Sequence, residues 1–195
     1  MKIIFTPLDY DYIDNKQDKN KSIIRIFGKD EKGRRVCIID DFECYFYLFP
    51  KKNANSKKLC EKISKIAISH AGRNIKIKKT EILRKNFLGK EKEMIKIFLY
   101  NPKDIALIKD ILKEYHEIED KKEMDINPIT RYIIDKKIEP LKCYQIEGEE
   151  IKDYYKNLKV DLILKVKKAA SLENCNKIKL KALAFDIESS DFDIA

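Results

Sequence analysis

The sequence has 195 residues and a formal net charge of +9, with 44% hydrophobic and 38% charged residues. The hydrophobic share is that of a globular protein and excludes wholesale disorder, although the charged share is well above the usual value of about 25%. Because no stretch approaches the roughly 18 uncharged apolar residues of a membrane span and the N-terminus lacks the apolar run of a secretory signal, we expect a cytoplasmic protein without a membrane partner.

The positive charge is concentrated in one quarter of the chain. Residues 51–100 hold 15 basic and 4 acidic side chains, so this block alone has a net charge of +11. Such a field is typical of proteins that bind nucleic acid, because each lysine near a phosphate releases condensed counterions. The alternative is a surface that lysine merely keeps hydrated.

The cysteines are odd in number and widely spaced. They are Cys37, Cys44, Cys60, Cys143 and Cys175. No CxxC pair occurs, so we expect no zinc site. Reduced thiols in a reducing compartment are the preferred interpretation.

The start of the chain predicts an antiparallel strand meander. Alternating apolar residues indicate strands at residues 3–13, 22–27 and 35–39, and turn-rich segments separate them.

The next segment, from residue 44 to about residue 126, has the order strand, helix, strand, strand, helix, strand. The six elements are expected at about residues 44–49, 55–71, 75–79, 94–100, 101–112 and 117–126. Asn55 and Asn101 are suitable caps for the two helices. This βαββαβ order is that of ferredoxin-like proteins and RNA-recognition modules.

The remaining segments are less regular. Residues 131–136 predict a helix that ends before Pro140. Residues 144–147 and 159–166 are candidate strands, and residues 171–176 are a candidate loop.

An apolar strand pattern at residues 180–188 becomes polar at its C-terminal end. In a strand, residues i and i+2 share a face, so Asp186 and Glu188 project to the same side about 7 Å apart. Two carboxylates at this spacing suit Mg²⁺ or Mn²⁺, the ions that assist phosphodiester hydrolysis. The alternative is an exposed pair of carboxylates, because motifs this short also arise by chance.

The sequence LAFDIE at residues 183–188 resembles the first exonuclease motif of archaeal family B DNA polymerases. Asp186 and Glu188 match the two metal-binding carboxylates of that motif. Three further stretches agree with the family in order and spacing: LDYDYI at residues 8–13, FLGK at residues 87–90 and RYIIDK at residues 131–136. The resemblance covers nearly the whole chain.

The resemblance implies an α+β fold class. The expected fold is an antiparallel strand meander plus a ferredoxin-like, RNA-recognition-like βαββαβ unit at about residues 44–126, followed by the first strand of an RNase H-like exonuclease domain. The expected domains are a template-binding domain at residues 1–140 and, at residues 141–195, an inserted element and the start of the 3′–5′ exonuclease domain.

The resemblance also implies a function. The chain would be the N-terminal part of a DNA-directed DNA polymerase, a nucleotidyltransferase of DNA replication, as a truncated chain or the product of a split gene. The expected partners are single-stranded DNA template, with RNA as a further candidate, and the remaining polymerase polypeptide. Because the later motifs would lie beyond Ala195, we expect no polymerase or exonuclease activity from this chain alone, and no tightly bound Mg²⁺ or Mn²⁺.

Many archaeal relatives have a pocket for template uracil in this domain. The residues at the corresponding positions here are Tyr12, Cys44, Tyr45, Met94, Ile126 and Arg131. Four positions depart from the family pattern: Cys44 and Glu91 replace prolines, Met94 replaces a small β-branched residue, and Pro128 replaces a phenylalanine. A pocket that rejects thymine needs a close-fitting wall, so uracil sensing is a hypothesis that depends on these substitutions.

A stand-alone module of RNA-recognition type that binds single-stranded RNA or DNA is the alternative function. Asp186 and Glu188 distinguish the two hypotheses, because a free-standing binding module has no use for a metal-ligand strand at its C-terminal end.

Overall fold

The computed structural model describes residues 1–15, 18–139, 141–152 and 158–175. In chain order these residues form β1 (Lys2–Asp14), β2 (Ser22–Asp30), β3 (Arg35–Asp41), β4 (Cys44–Pro50), α1 (Ser56–Ser64), β5 (Ala67–His70), β6 (Arg73–Phe87), β7 (Lys90–Leu99), α2 (Ile105–Ile111), β8 (Ile118–Lys122), α3 (Pro128–Asp135), β9 (Tyr144–Glu150) and β10 (Leu162–Ser171). Short 3₁₀ turns extend α2 at both ends. Within these ranges no helix is long and apolar enough to cross a membrane.

Five strands close into a barrel in the order β1, β2, β3, β10, β9. The antiparallel pairs β1–β2 and β2–β3 confirm the meander expected at the start of the chain. β9 pairs antiparallel with β1 and with β10, and β10 pairs parallel with β3. Buried apolar side chains, among them Phe5, Ile24, Ile38 and Leu164, form the barrel core.

The other five strands form an open sheet in the order β5, β6, β7, β4, β8, with antiparallel neighbours. The strands and helices expected between residues 44 and 126 occur in the expected order, but the first helix, expected at residues 55–71, ends at Ser64. Its expected last turn is instead β5, which pairs with the start of β6. A second apolar core lies on one face of this sheet, where Leu59 and Ile63 of α1 and Ile108 of α2 share a cluster with Phe46 and Leu48 of β4.

The barrel includes a region that the sequence assigned elsewhere. β9 and β10 lie in the expected inserted element, yet both complete the barrel, so the domain boundary expected at residue 140 falls within the barrel. The parallel pair of β3 and β10 joins residues far apart in the sequence, and such pairings leave no local signal. The strand expected at residues 180–188 lies outside the described residues.

Cys143 and Cys175 form a disulfide bond, so the expectation that all the thiols are reduced is wrong for this pair. The antiparallel register pairs Tyr144 with Ser171, which brings the start of β9 to the end of β10. The two cysteines flank this pair, and their Cα atoms are 6.3 Å apart. Cys37, Cys44 and Cys60 have free thiols.

Candidate nucleic-acid interface

The face of the open sheet opposite α1 and α2 carries aromatic and basic side chains; we call it the outer face. Side chains alternate between the two faces of a strand. Phe46 and Leu48 point into the core beneath the helices, so Tyr45 and Tyr47 point to the outer face. The register pairs Tyr45 with Phe98 and Tyr47 with Lys96, and residues paired across two antiparallel strands share a face.

The aromatic rings of the outer face contact one another. The ring centroid of Tyr45 lies 5.6 Å from that of Tyr47, in an edge-to-face arrangement, and 5.6 Å from that of Phe98. Lys96 Nζ lies 3.5 Å from the centroid of Tyr45 and 4.6 Å from that of Phe98, and Lys79 Nζ lies 4.0 Å from the centroid of Phe98. These are cation–π distances, so lysine side chains cover the rings of this face.

Arg131 reaches the same cluster from α3. Asn127 caps α3 by accepting a 2.8 Å hydrogen bond from Ile129 N–H, and Pro128 occupies the first turn, where its fixed φ is favourable. Arg131 Cζ lies 4.2 Å from the centroid of Tyr45, and Nη1 donates a 2.6 Å hydrogen bond to Glu123 Oε2. The structure thus brings together Tyr45 and Arg131, two residues that the sequence assigned to one pocket.

The environment of the cluster changes the protonation equilibria of its members. Burial raises the pKa of Tyr45 above its usual range, and so does the 2.8 Å hydrogen bond that its hydroxyl donates to Asp135 Oδ1. The phenol is therefore neutral at physiological pH. Burial also lowers the pKa of Lys96, because the charged ammonium group is partly removed from water. A phosphate beside Lys96 would restore some of that lost solvation.

The other predicted pocket residues have different environments. Met94 is 3% exposed and shares the outer face with Lys96, two residues away on β7. Cys44 lies in the barrel core instead, where burial raises its thiol pKa to about 12. Tyr12 packs at the margin of the barrel core, and Ile126 is half-buried between β8 and α3.

Sequence reasoning missed several members of this cluster. Lys79, Lys96 and Phe98 were identified only as strand residues, and the partners Glu123 and Asp135 were not identified. The alternation of β7, with Ile95 and Ile97 facing the core, was the available signal for Lys96 and Phe98. No comparable signal marked the two carboxylates, because their partners lie on other elements.

A separate, partly open cavity of about 350 Å³ lies between barrel strands and the C-terminal part of α3. Its lining includes Asp40, which accepts a 2.7 Å hydrogen bond from the hydroxyl of Tyr132 and lies 3.1 Å from Lys136 Nζ. The lining also includes Tyr10, whose buried hydroxyl has no hydrogen-bond partner within the described part of the chain. None of the six predicted pocket residues lines this cavity.

Metal-binding groups are the last part of the prediction. Among the residues that the structure describes, no cluster of three or more histidine, cysteine, aspartate or glutamate side chains could hold a metal ion. Asp186 and Glu188 lie outside these residues.

Comparison with protein families gives a match to the exonuclease domain of family B DNA polymerases over residues 119–193. The DNA polymerase of Thermococcus sp. (strain GE8) is 31% identical over 182 residues, which are 93% of this chain and 8% of that protein. The DNA polymerase of Thermococcus kodakarensis is 33% identical over 143 residues, or 73% of this chain and 8% of that protein. This chain therefore spans less than a tenth of the length of these two relatives.

A solved structure has a similar fold. The family B DNA polymerase from the hyperthermophilic archaeon Pyrobaculum calidifontis matches 88% of this chain and 21% of its own, with a TM-score of 0.67 and 24% sequence identity. At 24% sequence identity, this similarity shows a shared fold.

Proposed function

We propose that this chain, which belongs to the family B DNA polymerases, is a template-binding N-terminal region that holds single-stranded DNA on the outer face of its open sheet. The observation that carries the proposal is the ring cluster of Tyr45, Tyr47 and Phe98, in which Lys96 lies over Tyr45 and Phe98 and Arg131 lies over Tyr45. Single-strand binding without sequence preference combines aromatic surfaces, on which bases stack, with positive charges that follow the backbone.

The cover over the rings is consistent with this role. Phe98 is 3% exposed, yet the groups above it include the flexible side chains of Lys79 and Lys96. Incoming phosphates attract the ammonium groups outward, so the anion that the lysines bind also uncovers the ring. Arg131 has less freedom, because Glu123 accepts its hydrogen bond. Arg131 therefore fixes the position of the Tyr45 ring.

The proposal also includes a metal site that the complete polymerase would form. We assign Asp186 and Glu188 to the divalent metal site of a 3′–5′ exonuclease, because two carboxylates are the hard oxygen ligands that Mg²⁺ and Mn²⁺ prefer. In the complete enzyme the ion would stabilise the charge that develops during phosphodiester hydrolysis. The rest of the polymerase polypeptide is the expected partner, and the expected location is the cytoplasm.

The division into domains follows the strands. We propose that the template-binding part continues to the end of β10, since β9 and β10 complete the barrel, and that the exonuclease part begins after it. We further propose that the open sheet, with its strand order and its outer aromatic residues, is a unit of RNA-recognition type.

Binding to labelled oligonucleotides tests the template-binding role. We expect fluorescence anisotropy to show salt-sensitive binding of the 195-residue chain to single-stranded oligothymidylate. Tyr47→Leu and Phe98→Leu keep an apolar side chain but remove the ring, and each should weaken binding about 5- to 100-fold.

Phe27→Leu is the matched control. Phe27 also lies beneath a cation, with Arg25 Cζ 5.3 Å from its ring centroid, but it is in the barrel. This variant should bind like the unmodified chain. Equal losses in all three variants, or no binding by the unmodified chain, would contradict the proposal.

Uracil recognition is the narrower hypothesis. It assigns the base to a pocket of Tyr12, Cys44, Tyr45, Met94, Ile126 and Arg131. A strand with one uracil should then bind more tightly than the all-thymine strand, and Met94→Val should increase that preference by shortening the side chain at the wall. If the unmodified chain and Met94→Val each bind the two strands equally, uracil recognition is wrong and general binding of single-stranded template remains. Preference for RNA would favour a stand-alone RNA-binding module.

A further inference from the structure

β6 and β7 form a two-stranded ribbon that projects beyond the rest of the open sheet. The pairing of β4 with β7 ends at Leu48 and Ile95, whereas β6 and β7 stay paired as far as Phe87 and Lys90. The five residue pairs beyond Ile95 therefore have no third strand beside them within the described residues. We call this segment, residues 83–94, the ribbon end.

One face of the ribbon is strongly basic. The side chains that share the outer face with Phe98 follow from the register: Lys79, Glu81, Leu83 and Lys85 on β6, and Lys90, Lys92, Met94 and Lys96 on β7. This face therefore carries five lysines and one carboxylate. Glu91 and Glu93 point to the opposite face, where Glu93 accepts a hydrogen bond from Ser56. The basic face is continuous with the aromatic cluster.

Two features of the ribbon end are suited to a ligand. Lys85 and Lys92 are directly paired across the strands and so project from the same face, where Lys92 Nζ also lies 5.5 Å from the ring centroid of Phe49. Leu88 occupies the tip with a φ of 51°, in the left-handed region that favours glycine or asparagine, and it is 90% exposed. An anion on this face can bind both lysines, and an apolar contact can cover Leu88.

We propose that the ribbon end is a second contact site for single-stranded DNA, at which Lys85 and Lys92 hold a backbone phosphate and Leu88 packs against the sugar or base beside it. This inference rests on the proposed function, because the same strand would continue from the aromatic cluster. It also predicts the path of the DNA strand, which runs along the ribbon from the aromatic cluster toward the ribbon end, away from the barrel.

The length of the oligonucleotide distinguishes the two contact sites experimentally. An oligothymidylate of about 4 nucleotides can occupy the aromatic cluster alone, whereas one of about 12 nucleotides can also reach the ribbon end. The double variant K85A/K92A should bind the long strand about tenfold more weakly and the short strand unchanged. The log–log slope of its salt dependence on the long strand should fall by about 0.7, since the two lysines hold one phosphate and each phosphate contact to a single strand contributes about 0.7.

K57A/K58A is the matched control, because it removes the same charge from exposed positions of α1, on the other side of the sheet. Both strands should bind this variant like the unmodified chain. If K85A/K92A leaves the long strand unaffected while the unmodified chain binds it, the ribbon site is wrong and the proposed function stands. Equal losses on both strands would also overturn the ribbon site. Failure of the unmodified chain to bind any strand would overturn both proposals.

Leu88→Asn tests the tip, with Leu141→Asn as its control. Both leucines have a positive φ, 51° and 60°, and both are largely exposed, at 90% and 62%. Asparagine tolerates this backbone conformation, so neither variant should lower the melting temperature. Only Leu88→Asn should weaken binding of the long strand, about threefold. Unchanged binding in Leu88→Asn, or the same loss in Leu141→Asn, would contradict the apolar contact.

Discussion

The barrel and the open sheet cover their strands in different ways. In the barrel, inward side chains such as Phe5 and Ile24 are enclosed by other strands. In the open sheet, α1 and α2 cover one face, and lysine side chains lie over the rings of the other. Phe46 and Phe98, on neighbouring strands, are 0% and 3% exposed. Similar burial therefore has two different origins, the helices α1 and α2 on one face and the side chains of lysines and of α3 on the other.

This difference indicates where to look for function. Packing dictates the residues of a closed barrel and of a sheet face beneath helices. The rings of the outer face are buried too, with Tyr45 8% and Phe98 3% exposed, but the groups over them include the cations of Lys96 and Arg131. Burial alone does not require positive charge over an aromatic ring, so the basic composition of the outer face points to an anionic ligand.

Replacement of Phe46 by alanine should produce the largest effect on stability. The side chain is fully buried beneath α1, and its removal leaves a cavity that the helices cannot fill. We expect the free energy of unfolding to fall by about 3–5 kcal/mol. Chemical denaturation followed by circular dichroism measures this change.

Phe98→Leu is the comparison on the outer face. It should lower the free energy of unfolding by about 1 kcal/mol, because the covering lysines can rearrange. DNA affinity per folded molecule should stay constant in Phe46→Ala and fall in Phe98→Leu. A loss of DNA affinity per folded molecule in Phe46→Ala, together with unchanged affinity in Phe98→Leu, would contradict the distinction between the two faces.

Reduction of the disulfide between Cys143 and Cys175 should have the next largest effect. The bond closes a loop with a sequence separation of 32 residues, and it joins the start of β9 to the segment after β10. We expect its loss to reduce the free energy of unfolding by about 2–4 kcal/mol, as is typical of such bonds. Denaturation with and without a reducing agent measures the difference.

Cys60→Ser provides the control, because its thiol is free and lies in the open sheet unit. The reducing agent should destabilise this variant as much as the unmodified chain, and it should leave Cys143→Ser unaffected. Binding of single-stranded DNA should persist after reduction, since the bond belongs to the barrel. Equal stability with and without the reducing agent would show that the bond does not constrain the barrel.

The sequence was sufficient for most individual elements. Local signals in spacing and capping mark the meander, the helix that Asn55 caps, the 3₁₀ turn that Asn101 caps before α2, and the strands on either side of the FLGK turn. Closure of the barrel was not predictable in this way. It depends on pairs such as Val36 with Leu162, whose partners are distant in the sequence.

The candidate site shows the same limit. Alternation places Phe98 and Lys96 on one face of β7, but only the register with β4 brings them to Tyr45. The contact between Arg131 and Tyr45 depends on where α3 packs, and no local pattern encodes that position. Contacts within an element could therefore be predicted, and contacts between elements needed the structure or a family resemblance.

The smallest expected effect concerns the junction of the two units, at Asp14. Asp14 Oδ1 accepts a 2.8 Å hydrogen bond from Asn101 Nδ2, and Oδ2 lies 2.8 Å from Lys103 Nζ, so the end of β1 is tied to the segment before α2. Burial alone would raise the pKa of Asp14, but these hydrogen bonds and the charge of Lys103 lower it overall. The carboxylate therefore stabilises the folded state while it is ionised.

A lowered pKa in the folded state fixes the direction of the pH dependence. The contribution is complete above the unfolded pKa of about 3.9 and is lost as the pH falls through the lowered value in the folded state. Because the pair is partly exposed, Asp14→Asn should cost no more than about 1 kcal/mol at pH 7. The difference in unfolding free energy from the unmodified chain should disappear in acid, and a difference that grew as the pH fell would contradict the assignment. Since Asp14 joins the barrel to the open sheet, this variant also tests whether the two units unfold together. If they unfold in two separate transitions, Asp14→Asn should shift only one of the two.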